Sequence, residues 1–354
     1  MSKLKPAKQL PIVDSAKLSY PTLDPELLDL SEPNRNIVDF ALRFVPGVAF
    51  IGIIVFAFYL ASVNVRSFFI LSTLFSIYNL WIVSNVAIYS TLYLVKWIRA
   101  EKRNFHEEYL ARRRALLSLG HSEAQLRLWS DVIHYVVIPN YREHTSVLSA
   151  ALENLARSSL ARTNIIICLA MEAREYQAES KALELMKKHN HQFHDIIATF
   201  HPSDIPGEIP GKSSNDRWAV HEINKDVIRR GLCPSQVCIT IADADSFVHP
   251  LYFEALTSQF CNDIRRDEKI WQGAMACYKN FLDVPAPTRS LAVTVTVHEF
   301  AALANKSDLH IPFSTYSASL NFVNLVGYDG DVIPEDWHFY IKGFFATGGM
   351  LFFF

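Results

Sequence analysis

Two long runs without a charged residue set the strongest limit on how this chain can fold. One covers residues 44–65 and the other residues 67–95, with Arg66 between them. Each run is longer than the roughly 20 apolar residues that cross a bilayer core as a helix. The alternative is a buried helical hairpin in a soluble protein, although consecutive charge-free runs of this length are rare there. The sequence therefore predicts two membrane helices within residues 41–98.

The charges that flank these runs predict their orientation. Basic residues precede the first run and follow the second, whereas only Arg66 lies in the connecting turn. Because positive charges favour the cytoplasmic side, both ends of the pair are expected in the cytosol. Residues 1–40, with several prolines and no amphipathic period, predict a flexible cytosolic tail. The flanking basic residues are Lys3, Lys5, Lys8, Lys17, Arg35 and Arg43 before the runs and Lys96, Arg99, Lys102 and Arg103 after them.

The overall composition excludes some classes of function. The 354 residues carry a net charge of −2, and no long basic run could follow a phosphate backbone. We therefore expect no nucleic-acid partner. The five cysteines are irregularly spaced, which fits buried thiols in a reducing compartment better than a zinc site or a disulfide framework.

The remainder of the chain predicts a helical connector over residues 99–130 and a domain over residues 131–354. In that domain apolar strands alternate with helices, which predicts an α/β fold with a mostly parallel sheet. Ligands of such sheets bind outside the carboxyl ends of the strands. The expected strands are 134–138, 164–170, 194–200 and 237–242, and the expected helices are 146–160, 172–188 and 215–230.

Two aspartates follow the last of these strands. If the strand continues through residues 237–242 and beyond, Asp243 and Asp245 lie on the same side at its carboxyl end. Mg²⁺ is typically bound by one or two carboxylates together with substrate phosphates. The pair therefore predicts a site for a diphosphate and a divalent cation. The alternative is an acidic turn without a metal.

Two further polar clusters are candidates for a site. Residues 212–215, which read Lys-Ser-Ser-Asn, open a predicted helix, where backbone N–H groups attract anions. Glu335 and Asp336 indicate a helix start beside a pocket. The alternatives are an ordinary polar helix start and an acidic pair favoured by the helix dipole.

Taken in order, four segments resemble the membrane-bound family 2 glycosyltransferases. This group contains the cellulose, chitin and hyaluronan synthases, and a fungal-type branch looks most similar. The resemblance covers about residues 131–348 and implies a GT-A-type nucleotide-sugar domain. It also implies inverting transfer of a sugar, from a uridine diphosphate donor, to a glycan or lipid acceptor. The segments are residues 136–141, 212–215, 243–245 and 335–337.

The resemblance implies roles for the acidic residues. Asp243 and Asp245 would bind a Mg²⁺ or Mn²⁺ ion that holds the diphosphate of the donor. Asp336 would be the general base that takes the proton of the acceptor hydroxyl, and Glu335 would be its neighbour at the helix start.

The resemblance also implies a donor pocket. Lys212 and Asn215 would lie near the phosphates or the sugar, and Tyr141 and Arg142 would face the nucleoside. The family usually has an aspartate after the second strand for the uracil or ribose. Here Glu172 stands at that place and is the expected substitute.

Other departures from the family leave two expectations open. The Gln-x-x-Arg-Trp motif of processive synthases is absent, and the chain stops at Phe354, soon after Asp336. One expectation is a short, non-processive transferase. The other is a C-terminally truncated, catalytically inactive membrane protein with a binding or assembly role. A transporter is disfavoured because neither apolar run carries an ionisable residue.

Overall fold

A computed structural model of the chain describes residues 33–277, 279–305, 314–348 and 352–353. Most of the expected cytosolic tail therefore lies outside the described residues. This includes Lys3, Lys5, Lys8 and Lys17, and the side chains of Arg35 and Arg43 are also not described. The described residues form two compact units, which divide between Trp81 and Ile82.

Two long helices, α1 (Pro33–Val63) and α2 (Val65–Ala100), coincide with the apolar runs. Both are long and apolar enough to cross a membrane, and no residue in their most apolar windows is buried. Among the described residues, nothing covers these windows as the core of a soluble protein covers a buried hairpin. The expected turn at Arg66 is displaced, because the break falls at Asn64. The Asn64 side chain accepts a hydrogen bond from the Ser67 amide at 3.1 Å, as a helix N-cap does.

The second unit contains a seven-stranded sheet of order β3-β2-β1-β4-β6-β5-β7 among the described residues. Strands β1 to β4 are mutually parallel, as predicted, and β6 runs antiparallel to both β4 and β5. The strands are β1 (Ile133–Asn140), β2 (Ile165–Glu172), β3 (Asp195–His201), β4 (Val237–Ile241), β5 (Lys269–Trp271), β6 (Tyr316–Ser319) and β7 (Phe352–Phe353).

Helices cover both faces of this sheet. Because side chains alternate along a strand, Val136 and Ile138 of β1 enter one apolar cluster, and Tyr135 and Val137 enter the other. Central strands that are buried on both faces read as continuous apolar runs. The helices are α3 (Phe105–Ser118), α4 (Thr145–Leu155), α5 (Ala161–Asn164), α6 (Ala178–His189), α7 (Lys212–Arg229), α8 (Tyr252–Asn262), α9 (Ala286–Ala304), α10 (Leu320–Val326) and α11 (Glu335–Ala346).

One expected boundary that concerns the site is wrong. The helix predicted from residue 172 begins at Ala178, and Glu172 is the last residue of β2. The strand persists because Ala173 still donates its amide hydrogen to the His201 carbonyl at 3.0 Å. Pairing with β3 thus overrides the helical preference of the charged sequence, and places Glu172 at the carboxyl end of the sheet.

Candidate functional site

The carboxyl ends of β1, β2 and β4 border a cleft of about 1950 Å³. Three predicted site residues, Arg142, Glu335 and Asp336, are not part of its lining. The predicted residues that line it are Tyr141, Glu172, Lys212, Asn215, Asp243 and Asp245. The sheet therefore brings most of the predicted residues to one cavity.

Asp243 and Asp245 reach the cleft from a turn rather than from a strand. Strand β4 ends at Ile241, and the Ser246 amide donates to the Asp243 carbonyl at 2.9 Å. Strand alternation therefore does not govern the two carboxylates. The turn nevertheless leaves both facing the cleft, with Asp243 partly buried and Asp245 exposed.

Lys212, the first residue of α7, links two of the predicted acids. Its Nζ lies 2.7 Å from Asp243 Oδ1 and 2.6 Å from Glu335 Oε1. Burial alone would lower the pKa of Lys212, but the carboxylates around it, Asp216, Glu335 and Asp243, raise it above its ordinary value. Burial alone would likewise raise the pKa of Asp243, but Lys212 and a serine hydroxyl lower it.

That serine, Ser314, carries no motif and was not predicted from the sequence. Its hydroxyl donates to Asp243 Oδ2, and its amide donates to Asp336 Oδ2 at 3.2 Å. Its φ of +63° lies in the left-handed region, which non-glycine residues rarely adopt and which costs energy. Both carboxylate oxygens of Asp243 are therefore hydrogen-bonded, and Ser314 joins Asp243 to Asp336.

Glu335 and Asp336 form the first turn of α11, as predicted. The Trp337 amide donates to Asp336 Oδ1 at 2.8 Å, so the carboxylate lies at the helix N-terminus, where the dipole favours negative charge. Glu335 is buried. Its burial, together with the neighbouring Asp336 charge, raises its pKa above the ordinary value despite the Lys212 ion pair.

Asn215 lines the cleft from α7, and the next residue, Asp216, lies behind it. The Asn215 side chain is buried and donates to the Ala170 carbonyl at 2.8 Å, so this bond ties α7 to β2. The neighbouring Asp216, which the sequence did not single out, is fully buried. Neither of its carboxylate oxygens has a hydrogen-bond partner among the described residues. Burial, reinforced by the nearby acids, raises the pKa of Asp216 well above its ordinary value.

At the other side of the cleft Glu172 is held by Arg174 and His201. Its Oε2 lies 3.1 Å from Arg174 Nε and accepts from His201 Nδ1 at 3.3 Å, while His201 Nε2 donates to Glu208 at 2.8 Å. Burial alone would lower the pKa of His201, but the two carboxylates raise it. Glu172 is thus a fixed acceptor at the end of β2.

Tyr141 and Arg142 follow β1. Arg142 has a φ of +67°, and its amide donates to Glu175 Oε2 at 2.9 Å. Its guanidinium lies 4.9 Å from the Tyr141 ring centroid, and that of Arg174 lies 4.1 Å from the same ring. Arg142 therefore supports Tyr141 instead of lining the cleft, whereas Tyr141 lines it.

The donor atoms fit a hard divalent cation that shares its ligands with a substrate. Among the described residues no three His, Cys, Asp or Glu side chains converge as a preformed metal centre. Asp243 and Asp245 supply carboxylate oxygens to the cleft. Mg²⁺ commonly binds through one or two carboxylates and completes its shell with phosphates and water. The residues present therefore fit Mg²⁺ or Mn²⁺ bound together with a diphosphate.

No protein-family model matches this chain, and no curated protein matches it. Among solved structures, the chain is similar to the mannosyltransferase PcManGT from Pyrobaculum calidifontis, described in complex with GDP-Man and Mn²⁺. The identity is 13%, the TM-score is 0.39, and the match covers 73% of this chain and 63% of that one, less than two thirds of its length. At this identity and TM-score the similarity establishes neither a family nor an activity.

Proposed function

We propose that this chain is a membrane-bound inverting glycosyltransferase. It would transfer a sugar from a nucleotide sugar to a glycan or lipid acceptor. The donor that we propose is a uridine diphosphate sugar. The observation that carries the proposal is the pair of bridges between two acidic clusters. Lys212 joins Asp243 to Glu335, and Ser314 joins Asp243 to Asp336. These contacts support a diphosphate site at Asp243 next to a general base at Asp336.

The cleft offers separate places for the two parts of the donor. The nucleoside would lie at Tyr141 and Glu172. Glu172 uses Oε2 for Arg174 and His201, and its Oε1 would accept a ring N–H of the base. The diphosphate would lie at Asp243 and Asp245, which would hold Mg²⁺ or Mn²⁺. Such an ion supplies positive charge that stabilises the departing diphosphate.

Asp336 would act as the base. The acceptor hydroxyl would lose its proton to this carboxylate as its oxygen forms a bond to the anomeric carbon. The bond from that carbon to the diphosphate oxygen would break, and its electron pair would leave with the nucleoside diphosphate. Attack from the face opposite the leaving group inverts the configuration. Lys212, beside Asp243, would contribute further positive charge at the diphosphate.

The apolar helices support a membrane location, and the basic residues that flank them favour the cytosol for the α/β unit. Helices α1 and α2 would cross the bilayer, and the cleft is also lined by Tyr93 and Trp97 near the end of α2. An acceptor could therefore reach the site from the lipid surface. The sequon at residues 305–307 tests the orientation, although Lys306 and Ser307 lie outside the described residues. We expect no glycan on Asn305 when the chain is expressed in eukaryotic cells. Additional mass on Asn305 that a glycosidase removes would contradict the cytosolic location.

The activity is tested with the full chain in detergent, Mn²⁺, and a panel of UDP- and GDP-sugars. Release of nucleoside diphosphate and sugar transfer are measured for the wild type and for Asp336→Asn. We expect the variant to lose about 10³-fold in turnover, because it loses its general base. Donor-dependent thermal stabilisation should persist, because the donor contacts remain.

The matched control is Asp331→Asn, which makes the same change at an exposed residue in the loop before α11 and should retain activity. Equal turnover in wild type and Asp336→Asn would contradict the assignment of the base. Donor-dependent stabilisation without turnover in the wild type would instead support the catalytically inactive, donor-binding alternative.

A further inference from the structure

We propose that Lys212 is an interlock at the diphosphate site: its ammonium occupies the place of the divalent cation until a nucleoside diphosphate draws it away. This inference rests on the proposed function and deepens it. It predicts that the cation binds together with the nucleotide instead of before it.

The contacts of Asp243 carry the first step. Lys212 Nζ lies 2.7 Å from Oδ1, and the Ser314 hydroxyl donates to Oδ2. A cation that binds Asp243 would therefore have to share Oδ1 with the ammonium or share Oδ2 with the hydroxyl, unless it displaces one of them. An ammonium and a divalent cation on the same oxygen would repel each other strongly at such distances. The free protein thus presents a neutralised Asp243 that attracts the metal weakly.

The properties of Lys212 carry the second step. Its ammonium is the one cationic group within ion-pair distance of Asp243 or Glu335 among the described residues. The side chain is one quarter exposed, and it carries a compact charge on a flexible stem with three donors. Phosphate oxygens that enter the cleft offer this ammonium charge-assisted hydrogen bonds. Its movement to them would free Asp243 Oδ1 for the cation.

The same movement of the Lys212 ammonium would also affect the residues beside the proposed general base. Lys212 also pairs with the buried Glu335, which precedes Asp336 on α11, at 2.6 Å. A shift of the ammonium toward the diphosphate would weaken this ion pair as well. Arrival of the donor would thereby change the charge beside the general base. Lys212 is a positioning residue in this account and does not transfer a proton.

The test measures Mn²⁺ affinity by calorimetry and by the electron paramagnetic resonance of free Mn²⁺. It uses the full chain in detergent, without nucleotide and with saturating UDP or GDP. We expect Lys212→Met to bind Mn²⁺ alone about tenfold more tightly than the wild type does, and the gain in Mn²⁺ affinity on adding nucleotide to fall by about the same factor. Lys212→Arg keeps a cation and should resemble the wild type.

Lys225→Met is the matched control. It removes the same charge from the same helix, but Lys225 pairs with Glu222 at 2.8 Å and is mostly exposed. Its Mn²⁺ affinity should equal that of the wild type. Thermal unfolding of each variant shows whether it is folded. If Lys212→Met is unfolded, Lys212→Arg still tests the inference. This variant keeps a cation at the site and must therefore bind Mn²⁺ alone as weakly as the wild type does.

The outcomes separate this inference from the proposed function. If Lys212→Met binds Mn²⁺ alone no more tightly than the wild type, the interlock is wrong, even though a Mn²⁺–nucleotide complex on the wild type would leave the proposed function intact. Wild-type affinity for Mn²⁺ that is the same with and without nucleotide would also overturn the interlock. Failure of every variant to bind Mn²⁺ with either nucleotide would overturn both.

Discussion

The two ends of the cleft differ in how their charges are balanced. At the end proposed for the nucleoside, Glu172 lies between Arg174 and His201, and His201 in turn donates to Glu208. At the end proposed for the diphosphate, a single ammonium, that of Lys212, pairs with both Asp243 and Glu335. One end is thus a network of paired groups, whereas the other has more carboxylates than cations among the described residues.

This difference indicates two kinds of binding. A network whose members are already paired keeps its acceptor in place and can select a ligand without rearranging. A group of carboxylates that share one ammonium is stabilised by additional positive charge, which a divalent cation supplies. Lys212, Asp243 and Glu335 lie far apart in the sequence and come from three different parts of the fold. A ligand that contacts all three would therefore hold these parts together.

The largest effect that would test this contrast is expected at Glu172. Glu172→Gln retains the shape of the side chain but replaces a charged acceptor, and we expect donor affinity to fall about tenfold. Mn²⁺ affinity without nucleotide should not change. Glu179→Gln is the control, since Glu179 is exposed on α6. Isothermal titration with UDP and GDP measures the effect, and unchanged affinity for both would place the nucleobase elsewhere.

An effect on stability is expected from Asp216, which is buried behind the end proposed for the diphosphate. Because its pKa is raised in the folded state, its contribution to stability is greatest below the unfolded pKa and is lost as pH rises through the folded pKa. Asp216→Asn cannot ionise, so the wild type should lose stability relative to the variant as pH rises, by at most about 1.4 kcal/mol per pH unit. Chemical unfolding between acidic and neutral pH measures this, and parallel curves would contradict a raised pKa of Asp216 in the folded state.

The smallest effect concerns the left-handed backbone of Ser314. Ser314→Gly and Ser314→Ala both remove the hydroxyl bonded to Asp243, but only glycine adopts a positive φ without a steric cost. We therefore expect the glycine variant to be about 1 kcal/mol more stable than the alanine variant. Equal unfolding free energies would show that the backbone at this position relaxes without cost.

The sequence predicts the elements of this site better than their contacts. Continuous apolar runs bounded by turn residues identify β1, β2 and β4, because a strand buried on both faces has that composition. They do not show that β4 ends at Ile241 or that Glu172 belongs to β2, since both depend on pairing with neighbouring strands.

The same limit applies to the residues that the sequence did not single out. Ser314 contacts Asp243 across 71 positions of the chain, and no local pattern indicates this. Asp216 lies next to a predicted residue, but its burial follows from the packing of α7 on the sheet. Lys212 was expected at the donor, whereas its ion pairs with Asp243 and Glu335 are evident only from the folded chain.

The central claim is that Asp243 and Asp245 bind a divalent cation together with a nucleoside diphosphate. Its most direct test is titration of UDP, and of GDP, into the full chain with and without Mn²⁺, for the wild type and for Asp243→Asn. We predict nucleotide binding by the wild type that is about tenfold tighter or more with Mn²⁺, and loss of this Mn²⁺ dependence in the variant. Nucleotide affinity in the wild type that is indifferent to Mn²⁺, or a variant that retains the full Mn²⁺ effect, would contradict the claim.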